Sequence, residues 1–534
     1  MKKFETMGVM LDMSRNAVMS LDGLKRFVPL LAKMGYNCIF LYTEDTYEVN
    51  DEPYFGYMRG RYSKEEMRAI DDLAASYGIE VIPCIQTLAH LTMINRWNQY
   101  PMDTLDILMA DEERTYELVD RMFSTLKECF RTKRLHVGMD EAHDLGRGKH
   151  LDKYGYETVD VIMKRHLAKI VEIANKYDYE LMIWSDMYFR PWNGGTYSIP
   201  KTTVPKEYIE ALPETVIPVY WDYYSTVEQN YSDMMENHKQ LSKRTWFAGG
   251  AWTWGGFLPH NRYSLDTMRH GINAAKKQGI KHMFMTMWGD NGGECSKFSA
   301  IPALFYLSLY SRGITDEEKI KARFKSAFGV EFDDFMLLDA PNNVTENSDG
   351  KPKCPTKYML YSDPFLGYMD YTVKAGGNEY YAECERALSE VAKKTRKYGY
   401  LFDSAAKLSG VLKYKYELGV KTRKAYTEGN KAELLRLANE DYAEAYKAVA
   451  AFLKSFEKQW RLDNKTYGFE VHDIRLGGLL RRIDSCRHRL LDYACGKIQR
   501  IEELEERILP SPKSSEGESA YNNFYRNIAT SNVL

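Results

Sequence analysis

Gly8-Val-Met-Leu-Asp12, then Leu21-x-x-Leu24-x-x-Phe27-Val28-x-Leu30-Leu31 closed by Gly35, then Asn37-Cys-Ile-Phe-Leu-Tyr42-Thr-Glu44-Asp45: this opening stretch decides how the fold is read. A short apolar run is followed by an amphipathic pattern at helical spacing, a glycine stop, and a second apolar run that ends in acids. Runs this short, rich in Val, Ile, Met and aromatics, are the signature of strands buried on both faces. The alternation continues through Glu80–Ile85, Leu135–Asp140, Leu181–Trp184, Val216–Trp221, Trp246–Trp252 and His282–Trp288. A second helical pattern, Met67-x-x-Ile70-x-x-Leu73-Ala74, ends at Gly78. Eight such β-α units within about 300 residues predict an α/β fold, a (β/α)8 TIM barrel. A doubly wound open sheet is the alternative, but no G-x-G-x-x-G follows a strand.

The second part of the chain has a different texture. Residues 365–509 contain no proline and carry apolar residues at helical spacing, as in Leu434-Leu435-x-Leu437-Ala438 and Tyr442-x-x-Ala445-Tyr446-x-x-Val449-Ala450. The expected domains are a catalytic barrel over 1–337, a connecting segment over 338–364 and an α-helical C-terminal domain over 365–534. Pro341, Asn342, Asn343, Gly350, Pro352 and Pro355 mark the connection. The Pro510-Ser-Pro-Lys-Ser-Ser-Glu-Gly tail reads as a surface turn or mobile end.

Composition narrows the function. The 534 residues carry 73 Lys plus Arg against 75 Asp plus Glu, a formal charge of −2. That balance offers nothing to attract nucleic acid or an anionic membrane. No stretch approaches the ~20 apolar residues that would span a bilayer. The first apolar run stops at Asp12, so no cleaved secretory signal is expected. The 8 cysteines form no CxxC or other close pair, which predicts reduced thiols and a cytoplasmic location.

In a (β/α)8 barrel the reactive groups sit at the carboxyl ends of the strands. Here those ends read Asp12-x-x-Arg15, Tyr42-x-Glu44-Asp45, Gln86-x-x-x-His90, His136-x-Gly138-x-Asp140-Glu141, Trp184-x-Asp186, Tyr220-Trp221-Asp222-Tyr223, Trp252-x-Trp254 and Trp288-x-Asp290. Seven of the nine tryptophans lie between Trp184 and Trp288. Asp140 and Glu141 can face one ligand only if Glu141 lies just past its strand, because neighbours on a strand point to opposite faces. Two carboxylates facing one pocket repel, so one of the pair should have a raised pKa, as a general acid requires. An isolated Asp-Glu pair is more often a helix cap with a solvated neighbour. His136 and the tryptophans tip the balance here. Acids beside indoles suggest sugar, whose ring face stacks on Trp and whose hydroxyls bind carboxylates and Arg. No metal site is expected, because His90 and His136 are isolated and a cage needs several converging ligands. No cofactor is expected either.

With these residues in hand, the chain resembles glycoside hydrolase family 20, the β-N-acetylhexosaminidases. His136-x-Gly138-x-Asp140-Glu141 matches the family's strand-four signature. Asp12-x-x-Arg15 resembles its arginine motif, Glu44-Asp45 its acidic pair and His90 its strand-three histidine. Trp184, Trp221 and Trp288 fit its three pocket indoles, and Asp290 stands where the family usually has the Glu of Trp-x-Glu. The resemblance covers roughly residues 5 to 300. There are departures. No accessory domain is expected before the barrel, and the helical C-terminal part suggests a compact bacterial-type branch. Trp252-Thr-Trp254 replaces the family's Tyr-x-Asp, so Tyr223, with Tyr220 next, becomes the candidate for holding the acetamide oxygen.

The resemblance implies an exo-acting enzyme that removes terminal β-linked GlcNAc, or GalNAc, with retention of configuration. Glu141 would be the acid/base. The substrate's own acetamide oxygen would be the nucleophile, giving an oxazolinium intermediate oriented by Asp140, an exception to two-carboxylate glycosidases. The alternatives are a related hydrolase of O-linked GlcNAc and a non-catalytic amino-sugar-binding barrel. The expected partner is a short oligosaccharide or glycoside. A homodimer through the helical domain is also expected, with the Trp460–Tyr467 turn either reaching a barrel mouth or serving as a capped interhelical turn.

Overall fold

The structure is a computed structural model that describes residues 4–345, 350–510 and 517–533. Residues 1–3 of the N-terminus, 346–349 of the expected connection and 511–516 of the tail lie outside the described residues.

Among the described residues, eight parallel strands close into a barrel in sequence order. They are β1 (Thr6–Asp12), β2 (Cys38–Tyr42), β3 (Glu80–Cys84), β4 (Arg134–His136), β5 (Glu180–Trp184), β6 (Ile217–Trp221), β7 (Trp246–Gly250) and β8 (His282–Met287). Closure is made by β1 on β8, with Thr6 opposite His282 and Leu11 opposite Met287. The interior is packed with side chains. The rings of Phe40 and Phe284 stack with centroids 4.0 Å apart, and Phe40 meets His136 edge-on. The chain is therefore a (β/α)8 barrel followed by a helical region, as the alternating pattern predicts.

The helices begin and end for local reasons. In α1 (Leu21–Met34) the Ser20 hydroxyl accepts from the Gly23 N–H, and Gly35 ends the helix at φ 87°. In α2 (Lys64–Ser76) Ser63 and Glu66 form a reciprocal capping box. The strand expected over Leu135–Asp140 is shorter than its apolar pattern suggests. It stops at His136 because Gly138, Met139 and Glu141 all take positive φ, at 71°, 69° and 51°. Both acids of the Asp140-Glu141 pair thus lie past the strand.

The chain divides into two compact units at places other than 337 and 364. One contains Met1–Ala251, Ser264–Met287 and Leu304–Thr315, and the other Trp252–Tyr263, Trp288–Ala303 and Asp316–Leu534. The loops that follow β7 and β8 thus belong with the helical part. The reason is apolar burial: Phe257 lies 5.2 Å from both Phe452 and Phe456, centroid to centroid. Phe324 packs on Phe335, which in turn meets Tyr398 and Phe402. Part of the expected connection is itself structured. Residues Pro355–Tyr361 form a helix buried along its whole length.

The proline-free stretch forms long helices, among them Gly377–Lys394, Gly399–Lys415, Asp441–Asp463 and Phe469–Ala494. Trp460 is buried within this unit. Its indole N–H donates to the Lys465 carbonyl at 2.9 Å, and its ring meets Phe456, Phe469 and His472. It ties the turn between the Asp441–Asp463 and Phe469–Ala494 helices together. No helix among the described residues is long and apolar enough to cross a membrane.

Candidate active site

The site begins with the backbone after β4. Gly138 is required there. A Cβ on it would lie 2.0 Å from Gln86 Oε1 and 2.7 Å from the Ile85 carbonyl, and its φ is left-handed. Met139 and Glu141 adopt the same region without being glycine, a conformation that costs energy and is held by surrounding contacts. The Met139 N–H donates to Gln86 Oε1 at 3.0 Å, and the Glu141 N–H donates to Asp186 Oδ2 at 3.0 Å. His136, fully buried, accepts the Gly138 N–H on Nδ1 at 3.1 Å. Burial holds its pKa down to about 3, so it stays neutral and shapes the turn.

The turn delivers two carboxylates into unlike surroundings. Asp140 is buried. Its Oδ1 accepts from Gln86 Nε2 at 2.8 Å, and its Oδ2 lies 3.3 Å from His90 Nε2. Burial alone would raise its pKa. The His90 charge and the two hydrogen bonds outweigh burial and lower it, so Asp140 is a carboxylate. His90 answers in kind. Burial opposes its charge, but Asp140 overrides burial and raises the imidazole to about 9. Glu141 is the open member, with 41% of its side chain exposed. It lies 3.8 Å from His90 Nε2 and 3.6 Å from Arg190 Nη2. The raised carboxyl expected within the pair is thus not Asp140. Outside the pair, Asp186 is pushed up to about 7 by burial and by the facing charge of Asp140.

Hydrogen bonds run on from Asp140 to the β1 end. Gln86 Nε2 also donates to the Tyr42 hydroxyl at 3.0 Å, which donates to Glu44 Oε1 at 3.1 Å, and Arg15 Nη2 pairs with that oxygen at 2.9 Å. Burial raises the Glu44 pKa against the pull of Arg15. Asp45 turns instead to Arg59, at 3.2 Å. On the other side, Arg190 Nε donates to Asp186 Oδ2 at 3.0 Å, and its guanidinium lies 5.9 Å from the Trp221 ring centre. Tyr223 stacks on Trp221 at 5.7 Å. The Trp221 indole N–H has no protein acceptor among the described residues. Trp184 lies deeper, 4.4 Å from the His136 ring. Arg15, Glu44, His90, Asp140, Glu141, Trp184, Trp221 and Tyr223 are therefore gathered at the carboxyl ends of β1 to β6.

The catalytic-domain model of glycosyl hydrolase family 20 matches residues 4–241, and the Glycoside Hydrolase 20C C-terminal domain model matches residues 333–523. The chain belongs to glycoside hydrolase family 20. Hexosaminidase D of Bos taurus is 24% identical over 245 residues, covering 42% of this chain and 64% of that protein. Hexosaminidase D of Homo sapiens is 24% identical over 223 residues, covering 38% and 42%. The chain thus spans less than two thirds of the length of either relative. A solved GH20 exo β-N-acetylglucosaminidase from Vibrio harveyi, in complex with N-acetylglucosamine, has a TM-score of 0.47 at 14% identity, covering 63% of this chain and 58% of that one.

The remaining residues expected to bind substrate, Trp252, Trp254, Trp288 and Asp290, belong to the second unit. Trp252 and Trp254 stack at 4.1 Å. The Thr253 hydroxyl donates to the Trp288 carbonyl at 2.8 Å, and Asn523 Nδ2 to the Trp254 carbonyl at 2.8 Å. Sequence reasoning missed Gln86, Asp186 and Arg190 as site residues. The signal for two of them was present, since Asp186 and Arg190 stand four apart just after β5.

Elsewhere, Asp111, His150 and Glu157 bring ligand atoms together as a metal site would. Arg165 already fills that role. Its Nε donates to Asp111 Oδ1 at 2.8 Å and its Nη1 to Glu157 Oε1 at 2.9 Å, so the group is an ion-pair cluster.

Proposed function

We propose that the protein is an exo-acting β-N-acetylhexosaminidase that removes terminal β-linked GlcNAc by retaining, substrate-assisted catalysis. The observation that carries this reading is the unlike pair after β4, with Asp140 held as a buried carboxylate by His90 and Gln86 and Glu141 left open. The family and the Hexosaminidase D relatives support the same activity.

Glu141 gives its proton to the glycosidic oxygen as the bond from that oxygen to the anomeric carbon breaks. The acetamide oxygen attacks the anomeric carbon from the other face, forming an oxazolinium ring. Asp140 accepts the acetamide N–H and balances the positive charge that develops. Water then attacks the anomeric carbon, Glu141 takes its proton, and the ring reopens with retained configuration. Arg15 and Glu44 bind sugar hydroxyls. By the family resemblance, Trp184, Trp221 and Trp288 wall the acetamide and Asp290 takes the outer hydroxyls, with Trp252 and Trp254 as further binding residues. Tyr223 holds the acetamide oxygen. Tyr220 is less suited, because its hydroxyl donates to Asp222 at 3.1 Å.

The reading extends to a homodimer in the cytoplasm, working on short glycosides. Free thiols at all 8 cysteines support the reducing compartment. Light scattering should give twice 62.1 kDa, and a monomer at micromolar concentration removes the dimer. The activity is tested by release of 4-nitrophenol from its β-GlcNAc glycoside and by tight inhibition with a GlcNAc thiazoline, which resembles the cyclic intermediate. A stable 2-fluoro-sugar adduct on any carboxylate would replace the mechanism with double displacement.

A further inference from the structure

The turn that follows Asp290 is gripped by three separate stretches of the second unit, around Lys357, His472 to Arg475 and Tyr525. The Asn291 carbonyl accepts from Lys357 Nζ at 2.8 Å and from Arg475 Nη1 at 3.0 Å. Asn291 Oδ1 accepts from Arg475 Nη2 and from the Tyr525 N–H, each at 3.1 Å. His472 Nε2 lies 3.1 Å from the Gly292 carbonyl, and burial keeps that imidazole neutral, at about 3. Three residues on, Glu294 pairs with Lys357 at 2.7 Å and with Arg475 at 3.4 Å. Further along, the Ser296 hydroxyl donates to Asp463, which also accepts from Tyr400.

The Lys357 and Glu294 side chains are each only 1% exposed. Burying an ion pair so completely is a poor way to gain stability, because desolvation cancels most of the attraction. What such a pair supplies is a fixed geometry. Here it fixes a turn that is hard to make: Gly292 has φ 131°, and a Cβ on it would lie 2.9 Å from Arg475 Nη1.

We propose that Lys357, His472 and Arg475 are positioning residues for sugar binding, holding the 291–294 turn so that Trp288 and Asp290 are set for the ligand. This rests on the assignment of Trp288 and Asp290 to the sugar site.

The test uses the full chain and 4-nitrophenyl β-GlcNAc. Lys357→Met with Glu294→Gln removes both charges of the fully buried pair together and leaves Arg475 its hydrogen bonds to Asn291. This variant should raise KM about tenfold or more and change kcat much less. Arg475→Lys keeps the charge but loses the two-point hold on Asn291, and should raise KM to a smaller degree. It also serves if the double variant does not fold. In an Asp290→Ala background the Lys357/Glu294 change should add less than about twofold, because residues acting through one contact are not additive. A full multiplicative loss there, or an unchanged KM in the Lys357/Glu294 and Arg475 variants while Asp290→Ala raises it, overturns the positioning role. An unchanged KM in Asp290→Ala overturns the sugar-site assignment instead.

Discussion

The two ends of the barrel carry similar residues and do different things with them. At the amino ends, Arg134, Glu180, Arg244, Lys281, Trp246 and His282 line a cavity of about 390 Å³. Arg134 pairs with Glu80 at 3.0 Å and with Glu180 at 3.6 Å, Arg244 also pairs with Glu180, and Lys281 pairs with Glu5. These side chains are largely solvated, and such pairs contribute little. At the carboxyl ends Glu44, Asp140 and Asp186 are buried, Gln86 and Tyr42 link Asp140 to Glu44, and Asp140 stands between the left-handed Met139 and Glu141. The histidines record the contrast. His282, stacked on Trp246 at 4.4 Å, is lowered by burial, whereas His90 is raised to about 9 by Asp140. Residue type does not distinguish a working rim from a surface. The burial of Asp140 and Asp186 against each other, beside a strained turn, does.

The largest effect should come from the open member of the pair. Glu141→Gln keeps the shape and removes the proton donor, so kcat should fall by ~10²–10⁴. The loss should shrink for glycosides whose leaving group needs no proton. Near wild-type turnover of an alkyl glycoside would break the contrast between the two rims at its centre.

The second test is pH. His90 has a folded pKa of about 9 against 6.5 unperturbed. A raised basic group stabilises the folded state fully below its unfolded pKa, and that contribution is lost as pH rises through the folded one. The wild type should therefore lose on the order of 3 kcal/mol from this group between pH 6.5 and 9. Denaturant midpoints should reveal the loss, and His90→Gln should remove that part of the slope. Equal slopes in the two proteins would mean that His90 is no more coupled than His282.

Asp186→Asn should be milder. The amide oxygen can still accept the Glu141 N–H, but the charge opposite Arg190 is gone. We expect kcat to fall about tenfold, with any limb of the pH–rate profile near pH 7 flattened, since Asp186 titrates at about 7. An unchanged profile would leave Asp186 as a backbone support alone.

Much of this was legible in the sequence, for physical reasons. Strands buried on both faces must be apolar and short, so the eight runs stand out. Many helices end on a left-handed residue, which glycine adopts most easily, so Gly35 and Gly78 punctuate them. The pattern misled where composition and backbone part company. Val137 and Met139 are apolar enough for a strand, but the chain leaves β4 at His136. Trp252 and Trp288 look like continuations of their strands, yet their loops pack with helices two hundred residues later, and nothing local signals that. Asp186 was visible but silent, because an Asp two residues past a strand reads as a helix cap. Its function depends on total burial facing Asp140, a property of the fold rather than of the motif.

The smallest effect belongs to the other rim. Glu180 lies between two guanidinium groups at the amino ends, those of Arg134 and Arg244. If charge count made a site, Glu180→Gln would matter as much as a change at Asp140. Its side chain is 39% exposed, so water replaces what the two arginines lose. Stability should change by no more than about 0.5 kcal/mol, and KM and kcat should stay at wild-type values. Raising the salt should narrow even that difference, because exposed pairs are screened. A loss of activity in Glu180→Gln, with folding intact, would show that the amino rim is coupled to the chemistry and would overturn the division drawn between the two ends.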